Sequence, residues 1–162
     1  MRTPKRIRPN NDNLPLKYKY ADEWLDHAVE LFKPIFQEAG YNIPPVVVAA
    51  GFSSDGYHPK KKSAIGMCYG RCWSPEGVNQ IFIAPVRTDP IDVLWILGHE
   101  LIHAVDDCNN GHKKPFYDIA KKIGHWDAKG LSFTEMRNFQ LTLEGMAHEL
   151  GRYPRAPFVF TN

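Results

Sequence analysis

The residues best suited to chemistry lie in the run HELIH at positions 99–103. On an α-helix, residues four apart share a face, so His99 and His103 present two imidazoles one turn apart, a spacing that lets both bind one zinc ion. Glu100 is rotated by about 100° from His99, where its carboxylate can reach a water beside the metal without becoming a ligand. It is the candidate catalytic base, taking a proton as water attacks a polarised carbonyl and returning it to the leaving amine, which is peptide-bond hydrolysis. A catalytic zinc takes three protein ligands and keeps one position open, so a third must come from elsewhere. His112 is the first candidate: Asn109, Asn110 and Gly111 break the helix, and Gly111 can adopt a positive φ that returns the chain towards the metal. His125 and Glu144 are the alternatives. Asp106, one turn beyond His103, could hold a ring N–H or stand solvated at the helix end. Tyr117, His125 and Arg137 are the candidates for steadying an oxyanion.

These residues need a scaffold. From about Tyr20, Leu25, Ala28, Val29, Phe32 and Phe36 recur at helical spacing, with Asp22 to cap the start, Pro34 to kink the helix and Gly40 to stop it. Three short β-rich runs follow, near 46–50, 63–73 and 80–84, which predict a small three-stranded sheet. Asp89 and Pro90 start a second helix that runs to about Asp107. Its stripe of Ile91, Leu94, Trp95, Gly98, Ile102 and Val105 is expected to face the core, and Asp92, Ile96, His99, His103 and Asp106 to form a second stripe. Pro115 starts a third helix that Gly124 ends. The capping-box pattern from Ser132 to Glu135 starts a fourth, which runs to Gly151. The expected class is α+β, with about four helices packed on the sheet and HExxH on the central helix. Residues 1–19 read as a basic flexible arm and 20–162 as one domain.

The stretch AIGMCYGRCWSPEGVNQIFIAP, the DP-x-x-VL helix start, HELIHA and the later GHKKPF together resemble the SprT-like zinc metallopeptidase family, its short, phage-type members most of all. The likeness spans roughly residues 46–125 and reaches Tyr153 and Pro154. In that family a third histidine lies in a GHxxxF-like element, matched here by Gly111, His112 and Phe116. The resemblance therefore implies a minimal zincin-like metalloprotease domain, with one zinc ion on His99, His103 and His112 and Glu100 as the catalytic residue. Longer members add zinc modules built on Cys-x-x-Cys pairs, which this sequence lacks. The DNA–protein crosslink repair role of those larger relatives is thus not carried over.

The 162 residues fit one domain, and 43% hydrophobic with 23% charged residues, without a run of about 18 apolar residues, gives no candidate membrane span. Three cysteines, Cys68, Cys72 and Cys108, without a signal-peptide pattern predict reduced thiols and a cytoplasmic protein, in the host cytoplasm if it is phage-encoded. A net charge of +2 is too small to imply polyanion binding by itself. Arg2, Lys5, Arg6 and Arg8, the loop lysines 60–62, and Lys113, Lys114, Lys121 and Lys122 nevertheless make a candidate DNA contact. The expected function is zinc-dependent hydrolysis of protein substrates by a monomer. The alternative is a nucleic-acid-associated regulatory protein with a structural zinc site and no proteolysis.

Overall fold

The apolar residues of the first helical repeat all turn inward. In the computed structural model of the chain, which describes residues 9–56, 58 and 63–159, they line the buried face of α1 (Ala21–Glu38). The helix runs through Pro34 without a break. Asp22 does not cap it. The N-cap is Tyr20, with no side-chain bond, and the Asp22 carboxylate instead accepts the Ala50 N–H at 3.0 Å, tying α1 to the end of the first strand.

The sheet comprises β1 (Val46–Ala50), β2 (Gly66–Tyr69) and β3 (Asn79–Ile83) in the order β1-β3-β2, with β1 parallel and β2 antiparallel to β3. Strand β2 is shorter than the 63–73 run suggests. Asp107 accepts the Arg71 N–H at 2.9 Å, and residues 71–73 coil into one 3₁₀ turn instead of pairing. The same carboxylate accepts from Asn79 Nδ2 at 3.0 Å, which fastens the far end of the second helix to β3.

That helix, α2 (Pro90–Val105), opens as expected, with Asp89 accepting from the N–H groups of Ile91 and Asp92 at 3.0 and 3.2 Å. The two-stripe reading needs correction. Because α2 packs against β2 and β3 on one side and touches α1, α3 and α4 on others, Val93, Ile96, Leu97, Leu101 and Ala104 are buried as well. Trp95 is only partly buried. Helices α3 (Lys114–Ile123) and α4 (Phe133–Leu150) follow, α3 closed by left-handed Gly124 and α4 opened by a complete Ser132–Glu135 capping box.

The expected arm meets the domain earlier than residue 20. Leu14 is buried, Asn11 exchanges two hydrogen bonds with the backbone of Tyr153, and the Arg152 N–H donates to the Pro15 carbonyl at 2.8 Å. Gly151 permits this: a Cβ there would stand 2.4 Å from that carbonyl oxygen. Arg2, Lys5, Arg6, Arg8 and lysines 60–62 lie outside the described residues. Among the described residues no helix is long and apolar enough to cross a membrane.

Candidate metal centre

Helical geometry puts His99 and His103 on one face of α2, and the turn after it brings the third histidine back. Asp107 and Cys108 take left-handed φ values of 49° and 58°, and Gly111 one of 51°. Asp106 holds this reversal, accepting from Asn110 N at 2.9 Å and Nδ2 at 2.8 Å. Its carboxylate is thereby committed to the turn that returns His112.

The three Nε2 atoms converge. The separations are 2.9 Å between His99 and His112, 3.1 Å between His103 and His112, and 3.2 Å between His99 and His103. Three nitrogens at tetrahedral positions about 2.0–2.1 Å from one zinc ion stand about 3.3–3.4 Å apart, so the triangle fits such an ion to within a few tenths of an ångström. Three imidazole lone pairs aimed at one point repel unless a cation sits among them. The cluster can therefore hold a metal ion. His99 and His103 are partly buried and His112 is exposed, which leaves one side of the triangle open. Buried Phe116 lies beneath all three rings, with centroids 4.6–5.0 Å away.

A residue that the sequence did not reveal orients the cluster. Asp127 Oδ2 is hydrogen-bonded to His99 Nδ1, the contact that places a neutral imidazole's proton on Nδ1 and leaves Nε2 free to ligate. Asp127 is positioned in turn by His125. This fully buried ring bonds the Trp95 carbonyl through Nε2 at 3.0 Å, and its Nδ1 accepts the Asp127 N–H at 3.3 Å. Its Nε2 is thus the donor to Trp95. His125 is a support and not the third ligand, and Glu144, buried on α4 beside Gln140, does not join the cluster either.

The electrostatics favour ligand forms. Burial, then the neighbouring His99 and His112, lowers the His103 pKa to about 4, and burial with His99 lowers that of His112. Burial alone would raise the Asp127 pKa, but the His99 hydrogen bond and the charges of His125, His99 and His112 outweigh it and hold the carboxyl below its ordinary value. Glu100 behaves oppositely. Burial, reinforced by Asp127 and opposed by His99 and the Cys68 N–H, raises its pKa to about 7. Strand β2 crosses so close that a Cβ on Gly66 would lie 2.7 Å from Glu100 Oε1 and 2.6 Å from Ile96 Cγ2.

Of the oxyanion candidates, His125 is committed to Trp95 and Asp127. Tyr117 packs edge-on against Phe116 at 5.5 Å. Arg137 lines a separate hollow of about 350 Å³ with Trp126, Phe133 and Met136. Gly66 carried a usable sequence signal, since a glycine inside a strand marks close backbone approach. Asp127, in an aperiodic loop 28 residues from His99, carried none. When the chain was compared with protein-family models, curated proteins and solved structures, no match was found.

Proposed function

We propose that the protein is a zinc-dependent metallopeptidase of SprT-like, minimal zincin type, hydrolysing peptide bonds in protein substrates. The observation that carries this reading is the His99–His103–His112 triangle, open on one side, with the buried carboxylate of Glu100, its pKa raised to about 7, on the same helix as His99 and His103. When bound, zinc supplies Lewis acidity, polarising a carbonyl and acidifying water. The protein's own residues do the rest. Glu100, poised near neutrality, accepts a proton from the attacking water and passes it to the leaving amine. The Cys68 N–H steadies its carboxylate during both transfers. Asp127 keeps the His99 proton on Nδ1 throughout.

A structural zinc site in a nucleic-acid-associated regulatory protein is the competing reading. Structural sites are closed by four protein ligands, whereas the described residues supply three. On α3, Lys114 is paired with Asp118 at 2.7 Å and Lys122 lies 5.2 Å from the Tyr41 ring, both ordinary surface arrangements. DNA contact through the arm and lysine clusters remains a separate proposal, tested by the salt dependence of single-stranded DNA binding.

Glu100→Gln tests the hydrolytic reading. The variant is expected to keep its metal and to lose at least about 10²-fold in the rate of cleaving unfolded casein. Cleavage at the wild-type rate would overturn the assignment.

A further inference from the structure

Beside the histidine cluster lies a second pair of reactive side chains that the proposed hydrolysis does not use. Cys68 of β2 and Cys108 of the turn after α2 are 40 residues apart in sequence, yet their Sγ atoms stand 3.3 Å apart. The Cys108 thiol also reaches the Cys68 carbonyl oxygen at 3.3 Å. All three cysteines are free thiols. Cys68 is buried, Cys108 is partly exposed, and Cys72 is exposed on the 3₁₀ turn. Among the described residues no third ligand-type side chain joins the pair in a metal-holding group.

We infer that Cys68 and Cys108 form a redox-active dithiol, oxidised by low-molecular-weight disulfides to an intramolecular disulfide next to the metal centre. Exposure assigns the order of events. The Cys108 thiolate attacks one sulfur of the small disulfide, giving a mixed disulfide and releasing one thiolate. The Cys68 thiolate then attacks Cys108 Sγ, forming the internal bond and releasing the second. The protons of the two cysteines end on the two released thiols, so one small disulfide is reduced as two cysteines are oxidised. The sulfur atoms must close from 3.3 Å to a bond of about 2.0 Å, a movement that a small side-chain rotation can supply.

The location gives the bond a consequence. The Cys68 N–H donates to the Glu100 carboxylate, and the Cys108 N–H donates to the His103 carbonyl oxygen at 2.8 Å. Oxidation therefore ties the strand above Glu100 to the end of the helix that carries His99 and His103. This inference stands whether or not the protein cleaves peptides, because it depends on the two thiols alone.

The test uses full-length, metal-loaded Cys72→Ser protein, native and without denaturant, treated with oxidised glutathione. After quenching and unfolding, alkylatable thiols are expected to fall from two to none. The intact mass should drop by two hydrogens with no glutathione retained, and a peptide map should join the segments of Cys68 and Cys108. Dithiothreitol should restore both thiols. Wild-type protein run in parallel should show the same internal link, with any glutathione confined to Cys72. Two thiols still alkylatable, or glutathione held on Cys108 without an internal link, would overturn the inference.

Discussion

A neutral imidazole carries one N–H, and in His99 the hydrogen bond to Asp127 decides which nitrogen holds it. With the proton on Nδ1, the Nε2 lone pair faces His103 and His112. Asp127→Ala is therefore expected to weaken metal affinity by about 10–100-fold without unfolding the protein, as measured by competition with a chromophoric chelator. Unchanged affinity would remove Asp127 from the account. His125 makes a prediction about pH. Burial lowers its pKa from 6.5 to about 4, so between these values the unfolded chain binds the proton that the folded one refuses. The stability it contributes is complete above about pH 6.5 and lost progressively as pH falls towards about 4, at most about 3 kcal/mol. Urea midpoints across that window should fall with pH, and less steeply in His125→Asn. His99, Glu100 and His103 were legible because helical spacing is local, and His112 because a broken helix and a left-handed glycine follow in sequence. Asp127 was not, since its partner is chosen by how a loop folds back over α2.

Strand β2 and helix α2 meet across a glycine. A methyl group at position 66 would collide with Ile96 and the Glu100 carboxylate together, and neither can retreat far from a buried position. On the proposed mechanism, Gly66→Ala should therefore retain metal while losing at least about 10²-fold in hydrolysis, because the proposed base and not the ligands is displaced. Equal losses of metal and activity would instead indicate general unfolding. The elements themselves were legible wherever local chemistry closes them: Asp89 and Ser132 cap as their side chains predict, and Gly124 ends α3 in the left-handed form. The misreadings share one cause. Asp22 and the end of β2 were assigned by neighbours in sequence, but Asp22 bonds Ala50 and distant Asp107 captures Arg71. Short polar side chains near helix ends have several backbone partners in reach, and tertiary packing selects among them.

The segment from residue 9 to α1 shows the same effect across the whole molecule. Its composition is that of a mobile tail, yet Leu14 enters the main core and Pro15 bonds the chain beyond α4. Leu14→Ala is expected to cost about 2–3 kcal/mol of stability by removing a buried side chain, read as a lower thermal midpoint. A change within a few tenths of a kcal/mol would show that the segment is not anchored there. The histidine cluster in turn draws on α2, the reversal after it and the loop after α3, so metal binding should stabilise the fold as a unit. Zinc content measured by elemental analysis, wild type beside His112→Ala, puts the account to its sharpest test. One zinc per chain in the wild type, lost or bound far more weakly in the variant, is the predicted result. Full zinc retention by His112→Ala, or wild-type protein purified at neutral pH that binds no zinc, would contradict the three-histidine centre on which the proposed chemistry rests.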